Sequence, residues 1–204
     1  MEYRAMSLAD VVEAASDPFA VFADWMKEAE ASEPNDPNAV ALATATPDGM
    51  PSVRMVLMKK VDQRGFCFFT NCDSRKGMEL AANPRASMCF HWKSVRRQVR
   101  ISGGVSVLPE AETDTYFHSR SLGSQRAAYA SQQSQPLQDR KLLRDTVTEI
   151  VETFRENVPL PKHWKGYVLR AEQIEFWMDG DYRLHDRVLF TRSGNEWLKT
   201  RLYP

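Results

Sequence analysis

Residues 39–61 read AVALATATPDGMPSVRMVLMKKV, and this stretch decides the fold. Two apolar runs flank the sequence PDGM at 47–50, in which Pro, Asp and Gly each favour a change of chain direction. Two strand-like runs joined by such a turn predict an antiparallel β-hairpin. Further strands are predicted at FCFFT (66–70), RASMCFHW (85–92), VRRQVRISGGVSVL (95–108), GYVLRAEQIEFWM (166–178), RLHDRVLFT (183–191) and EWLKTRL (196–202).

Helical segments interrupt these strands. In the first, PFAVFADWMKEAEA (18–31), Asp17 is placed to cap the N-terminus and Pro18 suits the first turn. A short helix is predicted within SRKGMELAAN (74–83), with Ser74 as its N-cap and Asn83 near its end. The other predicted helices are PEAETDTYFHSR (109–120), GSQRAAYASQQ (123–133) and QDRKLLRDTVTEIVETFREN (138–157).

Many short antiparallel strands with helices inserted between them predict a mainly β (α+β) barrel with peripheral helices. A doubly wound parallel sheet would need a regular alternation of strands and helices, which this sequence lacks. No Gly/Ser-rich linker or internal repeat divides the chain. We therefore expect one domain over residues 1–204, with residues 1–16 as a flexible N-terminal arm.

Composition narrows the class of protein. The 204 residues are 43% hydrophobic and 26% charged, with 27 basic and 27 acidic side chains, and this balance argues against a general nucleic-acid binder. No apolar run reaches membrane-spanning length and the N-terminus has no signal-peptide core, so we expect a cytoplasmic protein. Cys67, Cys72 and Cys89 form no CxxC pair, which favours free thiols, with Cys67 and Cys89 buried. The histidines are scattered, so no metal site is expected.

A cationic strand face is predicted at YRLHDRVLF, residues 182–190. Side chains alternate between faces along a strand, so Arg183, His185 and Arg187 should point the same way. Like charges on one face repel each other unless an anion or an electron-rich group lies against them. The face is therefore either solvated or covered by a ligand.

Two basic clusters occupy positions where cations need anionic partners. Arg75 and Lys76 fall in the first turn of their helix, where they oppose the helix dipole unless a phosphate binds there. Arg54 and Lys59 lie in the apolar strand RMVLMKK, an odd number of positions apart, and so on opposite faces unless a bulge intervenes. The alternatives are solvated side chains on a surface helix and on an edge strand.

Further polar residues suit a bound nucleotide. Gln98, on one strand face with Arg96 and Arg100, could recognise a heterocycle edge through its amide. Tyr116 and Arg120 are one helical turn apart, and Ser124 follows, so the three could converge on a phosphate. Each also suits an ordinary surface position, and Trp177 suits either a core or a stacking role. The chain has no Rossmann glycine fingerprint and no P-loop, which leaves a nucleotide held by cations; FMN answers this description.

A set of short motifs occurs in a family-specific order: RMVLMK, FFTN, SRKG, NP, RQV, YFHSR, QS, EFW and RLHDR. Over essentially its whole length the chain resembles the pyridoxine/pyridoxamine 5′-phosphate oxidases. The resemblance implies an FMN-binding split β-barrel that forms a homodimer with its sites at the subunit interface. It also implies oxidation of pyridoxine or pyridoxamine 5′-phosphate to pyridoxal 5′-phosphate by hydride transfer from C4′ to flavin N5. O₂ would be the acceptor, and H₂O₂ (with ammonia from the amine) a product.

The resemblance also implies roles for individual residues. The FMN phosphate would be held by Arg54, Arg75 and Lys76, with Gln133 and Ser134 from the partner chain. The flavin would be lined by Met55, Val56, Leu57, Phe69 and Thr70, and its ring contacted or supported by Gln98, Trp177 and Arg187. The substrate phosphate would be held by Lys59, Tyr116, Arg120 and Ser124. The catalytic residues, which would face the substrate ring and its reacting carbon, would be Arg183 and His185.

Some positions depart from the family pattern: Ser121 stands where proline is usual, Arg126 where an apolar residue is usual, and Met178 where glutamine is common. Two alternatives to this activity remain. One is a flavin oxidase of the same fold acting on another planar substrate, as in phenazine biosynthesis. The other is a non-catalytic binder of FMN or pyridoxal phosphate. The intact set of substrate-phosphate residues favours a phosphorylated substrate over the phenazine-type one.

Overall fold

The hairpin at 39–61 forms the start of the sheet. The protein is described by a computed structural model that covers residues 12–204. Strands β1 (Ala39–Ala45) and β2 (Pro51–Asp62) pair antiparallel, with Thr44 opposite Ser52. The turn between them includes Gly49 at φ 90, a left-handed backbone that glycine adopts without steric cost. The predicted hairpin is confirmed.

The remaining strands extend this hairpin into a closed barrel. They are β3 (Gly65–Asn71), β4 (Arg85–Trp92), β5 (Arg97–Val107), β6 (Trp164–Met178), β7 (Asp186–Ser193) and β8 (Glu196–Arg201). Their order in the sheet is β3-β2-β1-β4-β5-β6-β7-β8, and β3 also pairs with β6. This extra pairing closes the first six strands into a barrel, while β7 and β8 continue outward from β6. The predicted class, mainly β with peripheral helices, is confirmed.

The helices lie at the ends and side of the barrel, close to the predicted positions. They are α1 (Pro18–Ser32), α2 (Arg75–Ala82), α3 (Glu110–Ser119), α4 (Leu122–Ala130) and α5 (Arg140–Phe154). Asp17 and Ser74 cap α1 and α2 as predicted, by accepting hydrogen bonds from the backbone N–H groups of Phe19 and Gly77. No helix within residues 12–204 is long and apolar enough to cross a bilayer.

Two aromatic clusters position these helices. Phe22 of α1 packs edge-on against Phe66 and Phe90, with ring centroids 4.9 and 5.2 Å apart, and so fills one part of the barrel core. A second cluster beneath α3 and α4 contains Phe117 and Trp164, both buried. Because buried aromatic rings bring large apolar areas out of water, they fix where α3 and α4 sit on the barrel.

The segment RLHDR departs from the prediction. Residues Asp181–Arg183 form a short 3₁₀ turn, and β7 begins only at Asp186. Tyr182 and Arg183 have φ values of 54 and 66, which take the chain out of the extended conformation. The prediction that Arg183 and His185 alternate along a strand with Arg187 was therefore wrong. Arg96 also lies outside its predicted strand, in a turn at φ 53, and not on a strand face with Gln98.

The structure describes all three cysteines and part of the N-terminal segment. Cys67, Cys72 and Cys89 are all free; Cys67 is buried and the other two are partly exposed. Of the predicted arm, residues 1–11 lie outside the described part of the chain. Residues 12–14 are helical, and Val12 is buried in the core.

Candidate active site

One cavity of about 1030 Å³ lies between the edge of β2, the start of α2 and the helices α3 and α4. Its walls contain residues of β2, β3, α2, α3, α4 and β6. The predicted site residues that line it are Arg54, Met55, Val56, Leu57, Lys59, Phe69, Thr70, Arg75, Lys76, Tyr116, Arg120, Ser124, Gln133 and Ser134. A volume of this size suits a nucleotide-sized ligand together with a small second molecule.

A β-bulge lies at Lys59, at the end of the part of β2 that borders the cavity. In the pairing of β2 with β3, Met58 lies opposite Phe68 and Lys60 opposite Cys67, so Lys59 is the extra residue. A bulge changes the alternation of side chains along a strand. Every residue from Ser52 to Leu57, before the bulge, also borders the cavity, so side chains from both faces of β2 reach it. Arg54 and Lys59 therefore border the same cavity although strict alternation places them on opposite faces.

Lys76 forms the centre of the cationic end of the cavity. Its side chain is buried, and Nζ donates to Thr70 Oγ1 (3.0 Å), Ser74 Oγ (3.1 Å) and Gln133 Oε1 (2.7 Å). None of these partners carries a charge. Burial, together with the nearby positive charge of Arg54, lowers the pKa of Lys76 to about 8. A buried ammonium that has no carboxylate partner within residues 12–204, beside two guanidiniums, fits a bound phosphate.

Gln133 and Ser134 lie in the same chain as this cationic end. The expectation that they come from a partner chain was wrong, because the turn after α4 folds back over β3. The turn is held by a hydrogen bond from Asn71 Nδ2 to the carbonyl of Ser131 (3.1 Å). No local pattern in the sequence predicts that this turn lies against β3, because its position depends on how α4 packs on the barrel.

Glu79 is a site residue that the sequence analysis missed. Its carboxylate accepts hydrogen bonds from Arg75 Nε (2.9 Å) and from Arg54 Nη2 (3.4 Å), so it joins two of the three cations. Arg54 also donates from Nη1 to the carbonyl of Leu42 (3.0 Å). The i,i+4 spacing of Arg75 and Glu79 on α2 is the sequence feature that could have predicted this contact.

A second cationic group borders the cavity at the end of α3. Arg120 lies over the ring of Trp164, 5.0 Å from its centroid, and its Nη1 is buried without a hydrogen-bond partner among the described residues. Burial lowers the pKa of Arg120. Tyr116 stacks on Phe69, with ring centroids 4.0 Å apart, so an aromatic contact connects α3 to β3. A guanidinium nitrogen that is buried and has no partner among these residues fits an anionic ligand group.

The helix that carries Tyr116 is fastened to the barrel by an ion pair. Arg64, in the turn between β2 and β3, donates 2.7 Å hydrogen bonds from Nη1 and Nη2 to the two carboxylate oxygens of Glu112 on α3. Bidentate pairs of this kind fix orientation as well as distance. The pair holds α3 beside the bulge at Lys59.

Ser121, one of the departures from the family pattern, caps α4. Its Oγ accepts from the backbone N–H of Ser124 (3.4 Å) and donates to Ser124 Oγ (2.9 Å). The Ser124 hydroxyl can still donate to a ligand, since this contact uses it as an acceptor. Of the other departures, Arg126 reaches the carbonyl of Arg155, and Met178 lies opposite Arg97 and Asp186 in the sheet.

The other predicted residues form a separate group on strands β5, β6 and β7. Gln98, Trp177 and Arg187 are direct neighbours across these strands. The ring of His185 lies 4.6 Å from that of Trp177, and Arg183 is exposed in the loop that precedes β7. None of these residues lines the cavity of their own chain. The predicted site is therefore divided into two groups.

The loop that carries His185 is anchored by Asp179. Arg96 Nε donates to Asp179 Oδ2 (2.8 Å), and Asp179 Oδ1 lies 3.1 Å from His185 Nδ1. The Arg96 hydrogen bond lowers the pKa of Asp179, which keeps the carboxylate ionised beside the imidazole. Arg187 is held in the same way, by Glu175 Oε1 at 2.9 Å from its Nε.

An exposed apolar stripe runs along β2. Val53, Met55 and Leu57 alternate along the strand and are 69%, 63% and 39% exposed. The residues between them, including Arg54, turn toward the protein. Three consecutive apolar side chains on one face of an exposed strand are typical of a surface that another protein covers.

Comparison with known proteins identifies the family. Residues 26–154 match the model of the family described as "Pyridoxamine 5′-phosphate oxidase". Residues 164–204 match a region described as "Pyridoxine 5′-phosphate oxidase C-terminal dimerisation region". The chain belongs to the pyridoxine/pyridoxamine 5′-phosphate oxidase family. It is an enzyme, an oxidoreductase, and the suspected family resemblance is confirmed.

Individual relatives agree with this assignment over nearly the whole chain. The chain is 54% identical over 200 residues to a "Pyridoxine/pyridoxamine 5′-phosphate oxidase" of Gluconobacter oxydans (strain 621H), covering 98% of this chain and all of the relative. It is 53% identical over 192 residues to a protein of the same name from Brucella anthropi, covering 93% of this chain and 95% of the relative.

Solved structures confirm the split-barrel fold. PhzG from Burkholderia lata 383, in complex with tetrahydrophenazine-1-carboxylic acid, superposes with a TM-score of 0.91 at 35% identity over 98% of both chains. An FMN-binding protein of Nostoc punctiforme, related to pyridoxamine 5′-phosphate oxidase, superposes with a TM-score of 0.74 at 16% identity, covering 93% of this chain and 100% of the other. The second likeness concerns the fold alone.

Most of the two groups of site residues fall into different family regions. The predicted residues that line the cavity lie within the first match, as does Gln98, whereas Trp177, Arg183, His185 and Arg187 lie within the dimerisation region. Apart from Gln98, the outlying group is therefore on the part of the chain associated with dimer formation.

Proposed function

We propose that the protein is an FMN-dependent oxidase that converts pyridoxine 5′-phosphate and pyridoxamine 5′-phosphate to pyridoxal 5′-phosphate, with O₂ as acceptor. The observation that carries this proposal is that two groups of cationic side chains border one cavity. One group, Arg54, Arg75 and Lys76, lies on β2 and at the start of α2, and the other, Lys59 and Arg120, lies at the bulge of β2 and at the end of α3. Two phosphates on two flat molecules would match two such groups.

FMN fits the first group of cations. Arg54, Arg75 and Lys76 would hold its phosphate, and Gln133 and Ser134 would contribute from the same chain. The strand Met55–Leu57, with Phe69 and Thr70, would line the flavin. When bound, FMN would accept a hydride from substrate C4′ and pass the electrons to O₂, giving H₂O₂ and, from the amine after hydrolysis, ammonia.

The chain's own residues would hold and orient the substrate. Lys59, Arg120, Tyr116 and Ser124 would bind its phosphate, which positions the pyridine ring beside the flavin. His185, whose Nδ1 accepts a hydrogen bond from the Gly180 backbone N–H (3.2 Å) and lies 3.1 Å from Asp179 Oδ1, would present Nε2 to the substrate and could accept or donate a proton there. Arg183 would orient the ring, since a guanidinium rarely gives up its proton.

A homodimer would complete the site. In the proposed arrangement, Gln98, Trp177, Arg183, His185 and Arg187 of one chain approach the cavity of the other. The exposed stripe of Val53, Met55 and Leu57 beside the cavity, and the dimerisation region at 164–204, support this arrangement. We also infer that the chain forms one domain, since β6 of the dimerisation region pairs with both β3 and β5.

A mixed dimer tests whether two chains share each site. A Lys59→Met chain and an Arg183→Ala chain, carrying different tags, would be purified together as a hybrid. If the groups meet across the interface, one of the two sites carries neither substitution, and activity should return to about half that of the wild-type dimer. If both groups served the same chain's site, every site would carry one defect and the hybrid would stay as slow as its parents.

A phenazine-type substrate is the second candidate, because the PhzG complex superposes closely. The number of donors that border the cavity, the cations Lys59 and Arg120 with the hydroxyls of Tyr116 and Ser124, favours a phosphate over a single carboxylate. FMN-loaded protein would be mixed without oxygen with pyridoxine 5′-phosphate, and the flavin absorbance followed. Rapid bleaching supports the oxidase. An unchanged spectrum at saturating substrate argues against it, and bleaching by a dihydrophenazine carboxylic acid alone would favour the second candidate.

A further inference from the structure

A buried carboxylate lies behind the cations of the cavity, next to the place where an anionic ligand is expected, without lining the cavity itself. The side chain of Glu79 is only 4% exposed. It lies on α2, one helical turn after Arg75, and close to Arg54 on β2. A negative charge beside a phosphate site weakens phosphate binding through repulsion unless it has another effect that outweighs this.

Four donors converge on the Glu79 carboxylate. Oε2 accepts from the hydroxyl of Thr44, from Ser52 Oγ at 2.5 Å and from Arg54 Nη2 at 3.4 Å. Oε1 accepts from Arg75 Nε at 2.9 Å. Both oxygens are therefore occupied by groups of the protein.

The carboxylate stays ionised despite its burial. Burial by itself would raise the pKa of Glu79, but hydrogen bonds from Ser52, Thr44 and Arg75 outweigh this and hold the pKa at about 2. The charge of Glu79 is thus present at every pH at which the enzyme would work.

We propose that Glu79 is a positioning residue for the FMN phosphate, holding the guanidinium groups of Arg54 and Arg75 in place before the cofactor binds. The inference rests on the proposed function, since it assumes that FMN occupies this end of the cavity. Glu79 touches the two arginines and not the reacting atoms, so its effect on the reaction is indirect.

Repulsion among the cations gives the physical reason. The positive charge of Arg54 lowers the pKa of Lys76, and that of Arg75 lowers the pKa of Arg54. Without a negative charge among them, Arg75, whose side chain is 57% exposed, would turn out into water. Glu79 removes that freedom, and a preorganised site loses less conformational entropy when its ligand binds.

Charge balance adds a second reason. The three cations and the one carboxylate leave an excess of two positive charges, which matches a phosphate that carries up to about two negative charges at neutral pH. A fully cationic group would bind any polyanion. The presence of Glu79 favours a terminal monoester phosphate over more highly charged ligands.

The test compares FMN with riboflavin, which has the same ring system and no phosphate. Flavin-free protein would be titrated with each flavin, following the quenching of flavin fluorescence. Glu79→Gln should weaken FMN binding by about 10-fold or more, the range for losing charge-assisted hydrogen bonds, and change riboflavin binding by less than about twofold. Loss of a merely structural group would weaken both flavins alike.

Glu175→Gln is the matched control. Glu175 is also buried and also holds two arginines, Arg100 and Arg187, but on the strands outside the cavity. This substitution should leave the ratio of FMN to riboflavin affinity unchanged. A double-substitution cycle adds a further check: in an Arg75→Gln background, Glu79→Gln should lose much of its effect, because one of the side chains that it positions is gone.

The outcomes separate the two proposals. If the wild-type protein binds FMN no more tightly than riboflavin, the proposed cofactor site itself is wrong. If the wild-type protein prefers FMN and Glu79→Gln retains that preference or strengthens it, the cofactor site stands and the role of Glu79 is wrong.

A second variant covers the case in which Glu79→Gln does not fold. Thr44→Val removes the hydroxyl that links Glu79 to Arg54, donating to the Glu79 carboxylate and accepting from Arg54 Nη1, and it keeps the shape of the side chain. Thr44 does not line the cavity. It should lower FMN affinity more than riboflavin affinity. If Thr44→Val changes neither affinity, or lowers both by the same factor relative to the wild type, the proposal is overturned.

Discussion

Lys76 donates a hydrogen bond of 2.7 Å from Nζ to Oε1 of Gln133, a residue 57 positions later in the same chain. The contact brings the first turn of α2 and the turn after α4 to one point. It completes the cationic end of the cavity within a single chain, so the proposed phosphate site of FMN needs no partner residue. The dimer would be needed only for the group near His185.

The pH dependence of FMN binding follows from the lowered pKa of Lys76, which is about 8. Phosphate binds the ammonium form, so FMN affinity should fall as pH rises above about 8 in the wild-type protein. Lys76→Arg keeps its charge and should bind FMN without this decline, whereas Lys76→Met should bind weakly at every pH. FMN affinity would be measured by fluorescence titration at several pH values between 7 and 10. If affinity depends on pH in the same way in the wild type and in Lys76→Arg, the prediction is wrong.

The same pKa affects stability with the opposite sign. The pKa of Lys76 in the folded, flavin-free protein is about 8, below the ordinary value of 10.5, so between these values the unfolded chain binds more protons. This group therefore makes stability rise with pH through that window. Urea unfolding of flavin-free protein should show the rise, and Lys76→Met should reduce it. Addition of FMN should remove it by restoring the charged form.

Lys59 and Lys60 provide an adjacent pair for testing substrate binding. Lys59 lines the cavity at the bulge, whereas Lys60 pairs with Asp62 at 3.0 Å and does not line it. Lys59→Met should raise KM for the phosphorylated substrate by about 10- to 100-fold, since it removes a charge-assisted contact. Lys60→Met should leave KM nearly unchanged. Similar KM values for the two variants would show that Lys59 does not bind the phosphate.

Arg183→Ala should lower turnover by about 100-fold while FMN stays bound, because the side chain orients the substrate. Arg183 has φ 66, a backbone conformation that costs Ala and Arg alike, so the substitution removes the side chain without relieving the strain. Steady-state rates and the flavin content of the purified variant are the measurements. A variant that loses FMN, yet turns over normally once it is resupplied, would assign Arg183 to cofactor binding.

Gly77 and Gly123 should respond oppositely to alanine. A Cβ at Gly77 would lie 2.3 Å from the carbonyl oxygen of Cys72, on backbone that cannot move aside, whereas nothing lies within 4 Å of a Cβ at Gly123. Gly77→Ala should destabilise the protein by about 1–3 kcal/mol, and Gly123→Ala should stabilise it by about 0.4–1 kcal/mol. Thermal unfolding of both variants measures the difference; a stable Gly77→Ala protein would mean that α2 can shift away from β3.

The secondary structure was largely predictable, because its signals are local. Turn residues at PDGM, the caps Asp17 and Ser74, and the runs of apolar residues placed most strands and helices within a few positions. The segment RLHDR was the main failure. Its apolar and charged residues alternate as in a strand, but two successive left-handed residues, Tyr182 and Arg183, interrupt the extended backbone. Neither residue type signals such a conformation in advance.

The sequence by itself determined the barrel hairpins, the family motifs and the types of side chain able to bind phosphate, because these depend on neighbours along the chain. Only the tertiary structure decided which of them meet. The bulge at Lys59, the return of Gln133 to Lys76 and the burial of Glu79 between two arginines all depend on packing between distant segments. The same packing separates His185 from the cavity of its own chain.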